Sequence, residues 1–149
     1  MDPTVVDDAE DLYRSIRANT DEYFYQDGKL VFSSSAFDDR FMKPSVDRSS
    51  LRHNPADARI NITDGVAKVL ADDVRRSCKI PIIRNGVPVG EYAVDAVHRP
   101  IENDQDVPDN LAHCQIECNP IIESGSRFKK LKAALANLAT KHSFIVPPS

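Results

Sequence analysis

The residues best suited to chemistry lie in one polar segment in the first third of the chain. From Ser33 to Arg48 the sequence carries hydroxyls, carboxylates and guanidinium groups without a regular apolar pattern. Such groups hold polar ligands through hydrogen bonds and bidentate arginine contacts. The same residue types also cap turns and order loops, which is the structural alternative. The polar segment is therefore a candidate functional loop, and its candidate site residues are Ser33, Ser34, Ser35, Asp47 and Arg48.

His113 is the candidate general base, because an imidazole exchanges protons near neutral pH. Strand alternation places it on a polar face together with Glu117. In the catalytic hypothesis Ser35, Asp47 and His113 share one pocket, where Arg48 fixes an anionic group and His113 exchanges a proton. A histidine that only forms hydrogen bonds within the fold is the alternative. The catalytic hypothesis requires His113 to lie beside the polar segment.

A basic cluster opens the last predicted helix, and Lys129 and Lys130 are its central residues. Cations at a helix N-terminus oppose the helix dipole, so they suggest a functional reason for their position. Together with free backbone N–H groups, they could bind a phosphate, a carboxylate or a protein partner. A solvated charged face is the alternative. The net charge of −4 argues against nucleic acid as the partner without excluding it.

The sequence predicts no metal site and no cofactor. His113, Cys114 and Cys118 alternate across the two faces of a strand, and no Cys-x-x-Cys pair begins a chelating site. The five glycines match neither a phosphate-binding loop nor a dinucleotide fingerprint. Three cysteines, no signal-peptide pattern and no run of about 18 apolar residues favour a cytoplasmic protein without a membrane segment.

Apolar periodicity predicts three helices that would position these residues. Ala9, Leu12, Tyr13 and Ile16 recur at helical spacing, and a second stripe begins after Thr63 and continues to Cys78. The third helix follows a serine cap at Ser124 or Ser126, and its apolar positions are Phe128, Leu131, Leu135 and Leu138.

Turn signals predict two hairpins. Apolar runs flank Asp27-Gly28 and Asn85-Gly86, pairs that adopt the positive φ angles of a two-residue turn. In the second hairpin, Ile83 is expected to face Pro88, and Pro81 to face Gly90. Residues 111–118 are predicted to form a further strand. We therefore predict an α+β fold in a single domain of residues 1–149, in which a mainly antiparallel sheet of two hairpins plus this third strand region packs against two or three helices.

Four short motifs resemble those of a family of small bacterial proteins without an established function. In chain order they are Leu12-Tyr13-Arg14, Ser33-Ser34-Ser35-Ala36-Phe37, Ser45-Val46-Asp47-Arg48 and Asn110-Leu111-Ala112-His113. The resemblance spans most of the chain. It implies a prokaryotic source and shared importance for Arg14, Ser35, Phe37, Asp47 and His113, with Arg14 as a ligand-binding candidate.

A second resemblance is to ADP-ribosyltransferase-like enzymes of the arginine, serine, glutamate type. Arg14 and the serines from Ser33 to Ser35 match the two motifs that help to hold NAD in those enzymes. Two departures stand against it. Arg14 falls on a predicted helix rather than a strand, and the Glu-x-Glu pair is absent.

These observations leave two functional hypotheses. In the first, which the sequence favours, the chain is a protein-binding or accessory module that uses the Asn85-Gly86 hairpin or the Lys129 helix end to engage a protein partner. In the second, it is a small enzyme or ligand-binding domain with a polar pocket for a small molecule. The sequence leaves the oligomeric state open.

Overall fold

A five-stranded antiparallel sheet forms the centre of the computed structural model, which describes residues 3–149. Its strands are β1 (Asp11–Ile16), β4 (Ser45–Arg48), β5 (Gly65–Leu70), β8 (Ala93–His98) and β9 (His113–Asn119). They lie side by side in the order β5-β1-β4-β9-β8. Two helices, α1 (Ala71–Ser77) and α2 (Gly125–Thr140), complete a mixed α+β domain, so the predicted fold class is confirmed.

The two predicted hairpins are present and lie outside the main sheet. β2 (Tyr23–Gln26) pairs with β3 (Lys29–Phe32), and β6 (Pro81–Arg84) pairs with β7 (Val87–Glu91), each pair as a two-stranded sheet. Both turns have positive φ angles, with Asn85 at 53° and Gly86 at 75° in the second. These angles match the two-residue turns that the sequence predicts.

The pairing inside the second hairpin differs from prediction at one of two sites. Ile83 faces Pro88 as expected, whereas Pro81 faces Glu91 instead of Gly90. The register shifts between Ile82 and Ile83, as it does at a β-bulge. An extra residue on one strand changes every pairing beyond it.

The first predicted helix is wrong, because its residues form β1. Leu12 and Ile16 are fully buried, and a spacing of four residues places side chains on one face of a helix and of a strand alike. The intervening position on that face is Arg14, a polar residue that hides the strand alternation. The apolar pattern therefore fits both periods.

The second predicted helix is wrong over its first half, where the chain forms β5 before α1 begins at Ala71. Gly65, Val66 and Ala67 are consecutive buried residues, since both faces of this strand are covered. A strand buried on both faces loses its polar alternation. α1 itself has Asp72 and Asp73 in its first turn, which suits its dipole.

The polar segment, residues 33–48, is more regular than its sequence indicates. It contains a 3₁₀ turn at Ser34–Phe37 and ends in β4, which lies between β1 and β9. Further 3₁₀ turns follow at Ser49–Leu51 and Pro55–Ala58. β4 was not predicted because Val46 is its single apolar residue.

The main core lies between one face of the sheet and α2. Leu12, Val46 and Ile116 from the strands belong to the same buried cluster as Leu131 and Leu135 from the helix. Ser124 caps α2 by accepting a hydrogen bond from the backbone N–H of Arg127, as predicted. None of the helices within residues 3–149 has the length and apolar character needed to cross a membrane.

The C-terminal tail covers the outer edge of β5. The Ile145 N–H donates to the Val66 carbonyl over 2.9 Å, and the Val66 N–H donates to the Val146 carbonyl over 2.8 Å. Phe144 packs edge-on against Phe32 at 5.0 Å between ring centroids. The tail therefore joins the first hairpin to the main sheet.

Replacing Gly65 by alanine is expected to destabilise the fold by about 1–3 kcal/mol, because an overpacked site must displace its neighbours. The new Cβ would lie 2.8 Å from Phe144 Cε1 and 2.9 Å from the Val146 carbonyl oxygen. Denaturant unfolding measures the effect as a lower midpoint.

Gly125→Ala is the matched control, because nothing lies within 4 Å of its new Cβ. It is expected to leave the midpoint unchanged or to raise it slightly. An unchanged midpoint for Gly65→Ala would contradict the close contact between the C-terminal tail and β5.

Candidate functional site

A groove of about 700 Å³ lies on the face of the main sheet opposite the core. Its floor comes from β1, β4 and β9, where Tyr13 pairs with Asp47 and Asp47 pairs with His113. Directly paired residues project from the same face, so these three side chains form a row. Loop residues 52–64 form one wall of the groove, and residues 101–110 form the other.

Asp47 is a buried carboxylate at the centre of this floor, 8% exposed. Arg52 forms a salt bridge with its Oδ2 at 2.8 Å, and Asn110 donates to its Oδ1 over 2.9 Å. Burying a charge is costly unless it is paired and hydrogen-bonded, and both conditions are met here. Asp47 thus connects the two walls of the groove.

The imidazole of His113 is held at both ring nitrogens. Nδ1 lies 2.7 Å from the Arg99 carbonyl oxygen, and Nε2 lies 3.0 Å from the Ser45 hydroxyl oxygen. Because a carbonyl only accepts hydrogen bonds, Nδ1 must carry the proton. In the tautomer that carries its single proton on Nδ1, Nε2 accepts a hydrogen bond from the Ser45 hydroxyl. This arrangement joins a hydroxyl, a base and an orienting group, as nucleophilic catalysis requires.

His113 therefore lies directly beside the polar segment, the condition that the catalytic hypothesis set. The hydroxyl that contacts it belongs to Ser45, which is not among the site residues predicted from the sequence. Asp47 and Ser45 are two positions apart on β4 and share one face of the strand. Strand alternation would have identified Ser45 if β4 had been recognised.

Ser35 lines the same groove but has a different partner. Its hydroxyl donates to the Asp21 carbonyl over 3.1 Å and lies 2.8 Å from the hydroxyl of Ser33. Ser33 also donates to the Asp21 carbonyl, and Ser34 begins the 3₁₀ turn. These serines order the turn, which agrees with the structural alternative for this part of the segment.

Arg14 lies on a strand, not on the predicted helix, and lines the groove although its position on β1 shares the core face with Leu12 and Ile16. Its guanidinium donates to three backbone carbonyls, those of Ala36 at 2.9 Å, Asp38 at 2.8 Å and Ser45 at 2.8 Å. Burial lowers the pKa of this guanidinium, against the opposing effect of nearby carboxylates. Arg14 holds the 3₁₀ turn against the start of β4, and so fixes the backbone of Ser45.

Arg48 does not line the groove, so it does not share a pocket with His113 as the catalytic hypothesis requires. It pairs with Leu12 of the core face, because successive residues of a strand face opposite ways. Its Nη2 lies 3.0 Å from Glu10 Oε1, and it also donates to the carbonyls of Pro3 and Val5. Arg48 is 4% exposed, and these contacts hold the N-terminal segment against the sheet.

Lys129 and Lys130 are exposed on the first turns of α2, and neither lines the groove. Lys132 instead joins α2 to the polar segment through a 3.1 Å salt bridge with Asp38. The structure thus separates the basic helix end from His113. In the part of the chain that the structure describes, no group of three or more metal-ligating side chains could hold an ion.

No family model, curated protein or solved structure matches this chain.

Replacing Glu10 by glutamine is expected to destabilise the fold by about 3–5 kcal/mol, because it leaves a buried guanidinium without its counter-charge. Burial raises the pKa of Glu10, but hydrogen bonds from Arg48 and Ser50 outweigh it and lower that pKa below 4.5. The carboxylate therefore stabilises the fold above about pH 4.5, and this contribution is lost as the pH falls through the folded-state pKa.

Denaturant unfolding between neutral and acidic pH measures both effects. Glu10→Gln should unfold at lower denaturant at neutral pH and lose less stability on acidification than the wild type. Glu123→Gln, at an exposed glutamate, is the control and should match the wild type. Equal neutral-pH midpoints for Glu10→Gln and the wild type would contradict the role given to this ion pair.

Proposed function

We propose that this chain is a small serine-dependent hydrolase that cleaves a carboxylic ester or amide in the groove. The observation that supports the proposal is the hydrogen-bonded series from the Ser45 hydroxyl through the His113 ring to the Arg99 carbonyl. The groove around it has room for a small ligand, since binding pockets commonly span about 300–1,000 Å³. We therefore prefer the enzyme hypothesis to the binding-module hypothesis that the sequence favoured.

The proposed reaction uses Ser45 as nucleophile and His113 as general base. Ser45 Oγ forms a bond to the carbonyl carbon of the substrate, and its proton moves to His113 Nε2. His113 then gives that proton to the leaving alcohol or amine as the bond to the leaving group breaks. Water attacks the acyl-enzyme by the same route, which releases the acid and restores both side chains.

Other groups of the site would act by positioning. The Arg99 carbonyl accepts a hydrogen bond from Nδ1–H and so orients the ring with Nε2 toward Ser45. Arg14 fixes the backbone of Ser45, and the contact between Asp47 and Asn110 holds the loop that leads into β9. Such fixed geometry matters because small displacements of a nucleophile cost large factors in rate.

Protein binding is the second candidate function, and the β6–β7 hairpin is the feature that favours it. Val87 and Val89 are 58% and 56% exposed on a hairpin that lies outside the main sheet. Exposed apolar side chains on a projecting element suit a protein partner. This candidate keeps the protein-binding or accessory role that the sequence favoured.

A fluorophosphonate probe and an activated ester, p-nitrophenyl acetate, test the hydrolase proposal. The wild type is expected to carry one probe adduct, located on Ser45 by mass spectrometry, and to release p-nitrophenol catalytically. Ser45→Ala should abolish both signals. His113→Gln should reduce them by about 10²–10⁴-fold, the usual contribution of a general base.

Two further variants sharpen this test. Ser126→Ala changes an exposed serine on α2, away from the groove, and should retain full labelling and turnover. Circular dichroism of every variant separates loss of activity from loss of fold. An adduct on another serine, or labelling that His113→Gln leaves intact, would refute the proposed roles. A wild type that is neither labelled nor active would leave protein binding as the better candidate.

A further inference from the structure

One wall of the groove presents a cation and an apolar side chain side by side, on Arg59 and Ile60. Arg59 donates through Nε to the Ala56 carbonyl over 2.9 Å and through Nη1 to the Ile62 carbonyl over 3.1 Å. The Ile60 N–H donates to the Ser15 hydroxyl over 3.0 Å. Three hydrogen bonds therefore hold this pair of residues in place before any ligand binds.

Arg59 differs from its neighbours in the groove in its ion pairing. Within residues 3–149, Arg59 forms no salt bridge, whereas two other groove arginines do. Arg17 pairs with Glu22 at 2.9 Å, and Arg52 pairs with Asp47 at 2.8 Å. Arg59 is half-buried, and a guanidinium has five N–H donors, of which two are used here. A pre-oriented guanidinium with spare donors is suited to a carboxylate.

The apolar residue next to this cation, Ile60, is highly exposed to solvent. Ile60 is 83% exposed although its backbone is fixed, and Val107, 45% exposed, lines the opposite wall. Exposed apolar groups on both sides of a concave site favour a ligand that covers them. The burial of a small apolar group there removes these surfaces from water.

We propose that the groove binds a small organic carboxylate with an apolar group, with the carboxylate on Arg59 and the apolar group between Ile60 and Val107. This inference rests on the proposed function, because it names the substrate class of the same groove. Under that function, the substrate carries its scissile ester or amide as a second group, so that its carboxylate stays free for Arg59 while the scissile group reaches Ser45 and His113. Recognition by Arg59 is nevertheless a binding property and can be measured without turnover.

N-acetyl-leucine and its uncharged counterpart N-acetyl-leucinamide are the probes, titrated into the full-length ¹⁵N-labelled chain and followed by NMR. The wild type and Ser45→Ala are both expected to bind the acid about tenfold more tightly than the amide, the worth of one charge-assisted contact. The backbone N–H signals of Ile60 and Asn61 should shift most. Arg59→Gln should remove the preference for the acid and leave binding of the amide unchanged.

Two other variants keep the test decisive if Arg59→Gln disturbs the wall. Ile60→Ser changes an exposed side chain and should weaken both probes by a similar factor. Arg84→Gln removes an exposed cation beside the hairpin turn, outside the groove, and should change neither affinity. The inference would be overturned if the wild type bound N-acetyl-leucine and N-acetyl-leucinamide with equal affinity. It would also be overturned if neither probe shifted the backbone N–H signals of the groove.

The outcomes also separate this inference from the proposed function. Preferential binding of the acid that depends on Arg59, in a protein without esterase activity or probe labelling, supports the ligand class and rejects the hydrolase. Hydrolysis that depends on Ser45, without any acid preference or effect of Arg59→Gln, supports the hydrolase and rejects the ligand class.

Discussion

The structure depends on two adjacent charges buried in the middle of its main sheet. β4 has four residues and lies between β1 and β9, and its last two residues are Asp47 and Arg48, 8% and 4% exposed. Buried charges destabilise a fold unless each has a partner. Strand alternation directs the two side chains to opposite faces. Each face of the sheet must therefore supply a partner of its own.

These partners come from distant parts of the chain, which is why they organise so much of it. On the core face, Arg48 binds Glu10 and two carbonyls of the N-terminal segment. On the groove face, Asp47 binds Arg52 from one wall and Asn110 from the other. The buried carboxylate of Asp47 thus binds both walls of the groove and holds them in place. The His113 ring is placed within this frame by its pairing opposite Asp47.

The sequence predicts local features well here and non-local ones poorly. Both hairpins and α2 follow from turn and capping residues that act within a few positions. Both β1 and β5 were predicted as helices because neither shows a clear two-residue period. In β1 a polar residue, Arg14, interrupts the apolar face, and in β5 both faces are buried. β4 has a single apolar residue, so its neighbours decide its conformation. The roles of Ser45 and Arg48 depend on that strand and could not be predicted without it.

The protonation state of His113 tests the central claim most directly, since the proposed chemistry requires Nε2 to accept the Ser45 proton. Long-range ¹H–¹⁵N correlation of the imidazole at neutral pH gives the tautomer. The structure predicts a ring protonated at Nδ1, with an Nε2 chemical shift that changes in Ser45→Ala while Nδ1 keeps its proton. A ring protonated at Nε2, or an Nε2 shift that Ser45→Ala leaves unchanged, would contradict the pairing of Ser45 and His113.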